Sequence, residues 1–376
     1  MIKMKEKSKV YFTDFRARPG YNLLQKLEKL VKKAGIENID FENKYTAIKI
    51  HFGEPGNLAY LRPNYSKVIV DLVKKLGGKP FLTDCNTLYV GGRKNALDHL
   101  DSAYVNGYNP FTTGCHIIIA DGLKGTDEQY VEINQEYVKT AKIGRAIMDA
   151  DVIISLNHFK GHEGTGFGGA IKNIGMGCGS RAGKMEMHSS GKPNVILDKC
   201  RKCKQCIKIC AHGAISYNEE GKAVIDHNKC VGCGRCIGIC NFDAIKSPND
   251  EAADILNKKM AEYALAVVKD KPQFHISLIC DVSPNCDCHG ENDAPIVPNI
   301  GMLASFDMVA LDKACADLVN KQEVFENSYL AEQMKKGVHE KDLFHSNHPE
   351  TNWESQIEHG EEIGLGTKEY ELIEVK

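Results

Sequence analysis

The chain has 376 residues, of which 42% are hydrophobic, so it is long enough for two domains or for one large domain with an insertion. Its 48 basic and 50 acidic residues nearly cancel, which excludes the basic surplus typical of proteins that bind nucleic acid or anionic lipid. The opening MIKMKEKSKV is charged and no stretch approaches ~20 apolar residues, so we expect a cytoplasmic protein without a membrane partner.

Residues 1–194 alternate helical and strand patterns and form the first part of a predicted α/β domain. The predicted helices cover residues 22–33 and 66–76, and the predicted strands cover residues 45–52, 80–83, 116–119 and 152–156. Short, apolar, β-branched runs are typical of buried parallel strands, so we expect an α/β fold with a doubly wound, mostly parallel sheet. Ligands of such sheets bind beyond the carboxyl ends of the strands, where this chain has His51, Asp84 and His158.

A glycine-rich segment, residues 157–191, follows the last of these strands. It contains ten glycines, whose conformational cost is usually offset where backbone approaches a ligand or binds phosphate. A flexible loop is the alternative. The segment matches neither the P-loop nor the dinucleotide-binding pattern, and it also carries His162, Lys172 and His188.

Two runs of four cysteines follow, each with the spacing C-x2-C-x2-C-x3-C. This spacing is typical of 4Fe–4S clusters, and in two-cluster ferredoxins the fourth cysteine of each run ligates the other cluster. We therefore predict one cluster held by Cys200, Cys203, Cys206 and Cys240, and a second held by Cys230, Cys233, Cys236 and Cys210. A zinc site or a disulfide scaffold is the alternative, but zinc takes four ligands in pairs rather than eight in two unbroken runs. The segment resembles a bacterial-type two-cluster ferredoxin.

The α/β pattern returns after the cysteine runs. We predict a ferredoxin-like α+β unit over residues 195–247, inserted into one α/β domain whose second part covers residues 248–335. In that second part we expect a helix over 251–268 and strands over 274–279 and 305–311. Residues 336–376 are rich in glutamate and are predicted to be a polar, solvated peripheral segment.

Three cysteines and a histidine lie within ten residues directly after the predicted strand 274–279. Thiolate and imidazole suit a soft or borderline metal ion. We therefore predict Cys280, Cys286 and Cys288 as metal ligands, with His289 beside them. A redox-active dithiol and simple packing are the alternatives.

The glycine-rich segment resembles part of the lactate racemase family in its order His-x3-Gly-Phe-(small)3-x-Lys with a second histidine downstream. In that family the lysine carries a pincer nucleotide and the downstream histidine helps to hold nickel. The resemblance implies that His162 is a catalytic acid or base, that Lys172 is a catalytic residue and the cofactor-bearing or phosphate-binding cation, and that His188 is a metal ligand. The cofactor-binding residues expected on this basis are Arg62, Gly166, Gly168, Gly169, Lys172 and Asn173.

Almost the whole chain is similar to a family of uncharacterised iron–sulphur centre proteins. These combine an α/β domain, a two-cluster ferredoxin unit and a Gly-Gly-x-x-Lys-Asn-x-Gly-Met-Gly segment, which ends here at Gly177. We therefore expect an iron–sulphur oxidoreductase with two 4Fe–4S clusters and an additional metal or organic cofactor. Its electrons would come from a soluble carrier, ferredoxin or flavodoxin-like, or from a redox enzyme, and pass to an unknown small molecule. A metal-pincer racemase or epimerase of a hydroxy acid and a non-enzymatic electron carrier or maturation factor are the alternatives.

Overall fold

The computed structural model describes residues 7–88, 91–188, 192–210, 212–230, 235–240, 242, 244–246 and 253–376. Among these residues, no helix has the length and apolar character needed to cross a membrane. The elements up to residue 188 are β1 (Ser8–Asp14), α1 (Leu23–Lys33), β2 (Tyr45–Lys49), α2 (Pro63–Lys75), β3 (Lys79–Asp84), α3 (Ala96–Val105), α4 (Pro110–Thr113), β4 (Ile117–Ile119), β5 (Glu128–Glu132), β6 (Thr140–Gly144), α5 (Arg145–Asp149), β7 (Val152–His158), β8 (Lys160–His162), β9 (Gly166–Gly168), α6 (Ala170–Cys178) and α7 (Arg181–His188).

The segment with the cysteine runs contains short elements. These are β10 (Asn194–Val195), α8 (Gln205–Ile209), β11 (Ile215–Tyr217), β12 (Ala223–Ile225), α9 (Arg235–Ile239) and β13 (Ile245–Lys246). Strands β10 and β13 pair antiparallel, as do β11 and β12. Their apolar side chains form a small core together with Leu88 and Met185, so the cysteine segment packs on the α/β part of the chain.

The rest of the chain returns to longer elements. These are α10 (Ala253–Val268), β14 (Gln273–Ile279), β15 (Gly301–Ser305), α11 (Met308–Val319), α12 (Tyr329–Lys335), α13 (Leu343–Asn347), α14 (Glu354–Glu362) and β16 (Tyr370–Glu374). Strand β15 ends at Ser305, where the sequence predicted a strand over 305–311. The reason is Asp307, whose carboxylate accepts hydrogen bonds from the N–H groups of Val309 (2.9 Å) and Ala310 (3.0 Å) and so begins α11.

An eight-stranded sheet in the order β16-β1-β15-β14-β7-β2-β3-β4 organises the α/β part. Neighbouring strands are parallel except where β15 pairs with β1 and β14. Strands β1, β2, β3, β4 and β7 precede the cysteine segment, whereas β14, β15 and β16 follow it. The prediction of an α/β fold with a mostly parallel sheet is confirmed.

Each face of the sheet has its own core, because successive side chains of a strand point to opposite faces. Ile153 of β7 belongs to the core that includes apolar residues of α6, α10 and α11. Ile154, the next residue, belongs to the core that includes those of α1 and α2. Helices therefore cover both faces, as in a doubly wound sheet.

Part of the glycine content of residues 157–191 serves helix packing. Helix α6 packs against α10 so closely that a Cβ added at Gly175 would lie 2.1 Å from the carbonyl oxygen of Met260. Any larger residue there would push the helices apart, which accounts for one glycine that the sequence reasoning assigned to ligand contact.

The C-terminal residues 336–376 are more than a solvated segment. Trp353, Ile357 and Leu365 are buried in the core beside α6 and α11, and β16 pairs in parallel with β1 at the sheet edge. The glutamates of this region dominate its composition, but Ile357 of α14 and the flanking residues Trp353 and Leu365 are buried. Composition hid two helices, α13 and α14, and an edge strand here, because it averages over both faces of an element.

Candidate functional site

A cavity of about 850 Å³ is lined by residues at the carboxyl ends of β2, β3 and β7. His51, Asp84 and His158, the polar residues that the sequence placed at these strand ends, all line it. The glycine-rich segment contributes His162 and Lys172 to the same lining. The cavity therefore lies where doubly wound sheets bind their ligands.

A buried ion pair fixes one part of the cavity. The ammonium of Lys49 lies 3.0 Å from Asp84 Oδ1 and donates a hydrogen bond to Asn173 Oδ1 at 2.7 Å. Burial raises the pKa of Asp84, but Lys49 and His99 outweigh it and hold that pKa well below its usual range. Asn173 Nδ2 also donates to Asn157 Oδ1 at 2.8 Å. These contacts tie α6 to β2 and β7 and so position Lys172.

A second buried pair holds the chain that follows β14. His158 Nδ1 lies 2.7 Å from Asp287 Oδ2, and His158 Nε2 lies 2.7 Å from the carbonyl oxygen of Cys280. The ammonium of Lys160 lies 3.7 Å from the same Asp287 oxygen. Burial raises the pKa of Asp287, but His158 and Lys160 outweigh it and lower that pKa. Asp287 thereby anchors the residues on either side of it, Cys286 and Cys288.

Cys286 and Cys288 both line the cavity, and their sulfur atoms lie within 4.8 Å of each other and of a ring nitrogen of His162. The ammonium of Lys172 lies 3.7 Å from Cys286 Sγ. A hydrogen bond from Cys288, together with the charges of Lys172 and Lys160, holds the pKa of Cys286 well below its usual range although burial raises it. The same hydrogen bond, with burial, raises the pKa of Cys288. These opposite shifts favour the thiolate form at Cys286 and the thiol form at Cys288.

The ring of His162 has a defined tautomer. Its Nδ1 accepts hydrogen bonds from the N–H groups of Gly164 (3.0 Å) and Thr165 (3.2 Å). Burial and the charge of Lys172 lower the pKa of His162, which favours the neutral ring. A neutral imidazole carries one proton, so that proton is on Nε2, and His162 donates it toward Cys286.

Several side-chain sets have the chemistry and spacing to hold a metal ion. Two of them line the cavity: His162 with Cys286 and Cys288, and Glu163 with Cys288 and His289. In the second set, Glu163 Oε1 lies 2.8 Å from His289 Nε2. A third set, Asp342, His345 and Glu354, lies beside the indole of Trp353, which donates to Asp342 Oδ2 at 2.9 Å.

The structure brings most of the predicted α/β site residues to the cavity. Gly168, Gly169, Asn173 and His188 line it together with His162 and Lys172. Gly166 instead faces Trp353, since an added Cβ would lie 2.7 Å from the Cβ of that residue. Arg62 is exposed at the beginning of α2.

Cys280 is separated from the other two cysteines of its group. Its thiol is buried in the core that includes α1 and α2, on the other face of the sheet from α6. The chain turns immediately afterwards at Asp281, which has a positive φ of 45°. The three-cysteine metal site predicted from the sequence is therefore reduced here to Cys286 and Cys288.

Cysteines of both runs meet in the cysteine segment. One pocket is lined by Cys200, Cys203, Cys206 and Cys240, which are the four residues predicted to share a cluster. Lys202 and Lys204 adopt positive φ values of 58° and 67° on either side of Cys203. Of the other predicted set, Cys210, Cys230 and Cys236 are described, and Cys233 lies outside the described residues.

Backbone N–H groups point at sulfur atoms of this segment. Ala223 N lies 3.5 Å from Cys200 Sγ, and Ala244 N lies 3.4 Å from Cys240 Sγ. Ala214 N lies 3.3 Å from Cys210 Sγ. Donors of this kind stabilise negative charge on sulfur and tune cluster potentials.

The cysteine pocket and the cavity border each other at β13. Ile245 lines both of them, and the next residue, Lys246, lines the cavity. Leu256 of α10, just after the cysteine segment, also lines the cavity. The cysteine segment therefore forms part of the wall of the cavity.

Sequence reasoning missed two buried lysines of the cavity, Lys49 and Lys160. Lys49 lies within the predicted strand 45–52, whereas Lys160 lies in the glycine-rich segment, four residues after the predicted strand 152–156. Lysine is almost never fully buried unless it is paired, so a lysine in an apolar strand is a signal that could have identified Lys49 but not Lys160.

Comparisons with known proteins give a family but no activity. A family model described as "Domain of unknown function (DUF362)" matches residues 46–317. The thylakoid-associated protein sll1697 of Synechocystis sp. is 27% identical over 124 residues, which are 33% of this chain and 35% of that protein. The chain thus spans about a third of the curated relative it matches.

Two solved structures are similar at low sequence identity. The lactate racemase apoprotein from Thermoanaerobacterium thermosaccharolyticum has a TM-score of 0.37 at 12% identity, covering 73% of this chain and 51% of that one. A protein from Thermotoga maritima has a TM-score of 0.39 at 12% identity, covering 78% of this chain and 57% of that one.

Proposed function

This chain belongs to the DUF362 family, a domain of unknown function, and we propose from its own residues that it is an iron–sulphur oxidoreductase. A soluble one-electron carrier would supply electrons to two 4Fe–4S clusters in an inserted unit, residues 195–247. A small molecule bound in the cavity would receive them. The observation that carries this proposal is that Ile245 lines both the cysteine pocket and the cavity. A cavity walled by an electron-transfer unit is the arrangement that a reductase requires.

The donors of the cysteine segment fit iron–sulphur ligation. Cys200, Cys203 and Cys206 meet Cys240 of the other run in one pocket, as the cross-ligation of two-cluster ferredoxins requires. Phe242 and Ile245 also line that pocket and give it apolar wall beside the sulfur atoms. When bound, the clusters supply single-electron transfer. The N–H groups of Ala223 and Ala244 would stabilise the charge on the ligating sulfurs.

The cavity supplies protons where reduction would occur. His162 carries a proton on Nε2, and Lys172 carries an ammonium, and both line the cavity. A substrate that gains electrons usually gains protons as well, so the ammonium of Lys172 is the proposed acid, whereas the neutral His162 would donate a hydrogen bond through Nε2 and keep its ring proton. The buried pairs Lys49–Asp84 and His158–Asp287 hold the surrounding strand ends in place.

Elemental analysis of protein purified anaerobically tests the proposal. We expect about eight irons and eight acid-labile sulfides per chain, with electron paramagnetic resonance signals of reduced clusters after dithionite treatment. Iron below about four per chain would contradict the proposal. Stoichiometric zinc without acid-labile sulfide would point to the structural zinc alternative.

A redox-neutral racemase or epimerase of a hydroxy acid is the second candidate. It is favoured by one observation, that His162, Lys172 and His188 line the same cavity. That reaction needs no net electrons and would leave the eight cysteines of the runs without a catalytic role. Stoichiometric nickel, with racemisation of lactate in the absence of any reductant, would make this candidate the leading one.

A further inference from the structure

We propose that Cys286 and Cys288 form a reversible disulfide that serves as a two-electron relay and that reduces a small disulfide substrate in the cavity. The inference rests on the proposed function, since the relay needs a source of electrons. The inference adds the chemical class of the substrate that would receive these electrons in the cavity. Four observations carry it: the spacing of the two sulfurs, the ammonium beside them, the histidine tautomer and the anchored backbone.

The positions of the two sulfurs fit a dithiol. They belong to residues separated only by Asp287, lie within 4.8 Å of each other, and line the cavity. A disulfide requires an S–S length of about 2.05 Å, so forming the bond requires the two side chains to rotate toward each other. Asp287 holds the backbone between them through its contact with His158 of β7.

Two features disfavour a metal ion at the same sulfurs. The ammonium of Lys172 lies 3.7 Å from Cys286 Sγ, where it would repel a cation. The Nδ1 atom of His162 already accepts two backbone hydrogen bonds, so the neutral ring keeps its proton on Nε2. A metal-bound histidine normally has the reverse arrangement, with its second nitrogen donating to an acceptor. Both features instead suit a thiolate that is stabilised by a cation and by a donated hydrogen bond.

The proposed reaction balances in two stages. The Cys286 thiolate attacks one sulfur of the substrate disulfide, and the substrate S–S bond breaks. The first leaving thiolate takes a proton from the ammonium of Lys172, while the neutral His162 only donates a hydrogen bond. Cys288 then attacks the mixed disulfide, so the Cys286–Cys288 bond forms and the second substrate thiol leaves with the proton of Cys288. The protein disulfide accepts two electrons and two protons to return to the starting dithiol. A one-electron carrier would supply these electrons, and the cysteines of the two runs would hold the clusters that allow single-electron transfer.

Thiol counting tests the relay without an activity assay. The protein is equilibrated anaerobically with a dithiothreitol buffer, either fully reduced or fully oxidised, then denatured, alkylated and digested. The peptide spanning residues 270–313 contains three cysteines, Cys280, Cys286 and Cys288. We expect three labels from the reduced buffer and one label, on Cys280, from the oxidised buffer.

Variants separate the relay from the proposed function. Cys288→Ser should give two labels in both buffers, because Cys286 has lost its partner. The matched control Cys280→Ser should still lose two labels on oxidation, because its thiol lies in the core on the other face of the sheet. Iron and sulfide content should equal the wild-type values in both variants, which also checks that they fold.

Two results would overturn the relay while the proposed function stands. The first is that the peptide carries three labels in both the reduced and the oxidised buffer, in protein that still contains its iron. The other is a stoichiometric metal that Cys286→Ser and Cys288→Ser remove. Protein that switches between one and three labels but holds no iron would instead overturn the proposed function.

Discussion

The cysteine segment and the cavity differ in how their functional residues are placed along the chain. Cys200, Cys203 and Cys206 lie within one short stretch, and the repeat supplies the fourth member of their pocket at Cys240. The cavity collects Lys49 from β2, Lys172 from α6 and the Cys286–Cys288 pair from the chain after β14. Spacing along the sequence therefore specifies the first site, whereas the topology of the sheet assembles the second. Variants that damage one site and spare the other test whether the two are independent.

Removal of Cys203 should have the largest effect. Cys203→Ser takes one ligand from the proposed cluster of Cys200, Cys206 and Cys240, so we expect iron to fall from about eight to about four per chain. The other cluster should keep its electron paramagnetic resonance signal. Cys115→Ala, which removes a buried thiol from the core that includes α1 and α2, should leave the iron content unchanged.

The same variant shows whether the cavity depends on the cysteine segment. In Cys203→Ser, the Cys286–Cys288 pair should still change from three labels to one between the two dithiothreitol buffers, because dithiothreitol exchanges with it directly. If the number of labels no longer changed between the two buffers, the two sites would be structurally coupled and not independent.

A smaller effect is expected within the cavity at Lys172. Lys172→Met removes the ammonium that lies 3.7 Å from Cys286 Sγ, so the thiolate fraction of Cys286 should fall. We expect its alkylation by iodoacetamide at pH 7 to slow about tenfold in the reduced protein, since only the thiolate reacts. Lys313→Met, which removes a partly exposed lysine paired with Asp317, is the matched control. An unchanged rate in Lys172→Met would remove this lysine from the thiolate site.

The strands and the cysteine pocket were more predictable than the cavity, for physical reasons. Apolar β-branched runs are short-range signals, and they located β3, β7 and β14 closely. Strand ends that meet at one edge also placed His51, Asp84 and His158 at one site. The partners of those residues come from elements that are distant in sequence, and the spacing of residues along the chain does not predict which strands become neighbours in the sheet. Asp287 beside His158, and Lys172 beside Cys286, are pairs of this kind.

Two residues were assigned to the cavity because of their position in the sequence, but the fold places them elsewhere. Cys280 belongs to the group Cys280–His289 in sequence, but its side chain falls on the opposite face of the sheet from α6. Gly166 belongs to the glycine-rich segment, but it packs against Trp353. Neighbours in sequence were taken as neighbours in space. That assumption suits closely spaced cysteines that share one pocket, but it fails for residues that follow the end of a strand, where the chain turns.

The smallest effect on either site is expected from the buried pair Glu262–His359, whose residues line neither the cysteine pocket nor the cavity. His359 Nε2 lies 2.9 Å from Glu262 Oε1, which joins α14 of the C-terminal region to α10. Glu262 also accepts hydrogen bonds from the N–H groups of Tyr137 (3.2 Å) and Val138 (2.6 Å). Burial lowers the pKa of His359, but its hydrogen bonds to Glu262 and Glu362 outweigh this and raise it.

Because the pKa of His359 is raised, the contribution of this pair to the stability of the fold should depend on pH. A raised histidine pKa stabilises the folded state fully below the ordinary histidine value of about 6.5, and the contribution is lost as pH rises through the folded-state value. Glu262→Gln should therefore lower the free energy of unfolding by about 1.5–3 kcal/mol at pH 6. At pH 9 the loss should be smaller, because His359 is then neutral in both proteins. Urea unfolding at the two pH values measures the difference, with Glu358→Gln on the exposed side of α14 as the control. A pH-independent loss would mean that the hydrogen bonds that Glu262 accepts from Tyr137 and Val138, and not its interaction with His359, account for its contribution to stability.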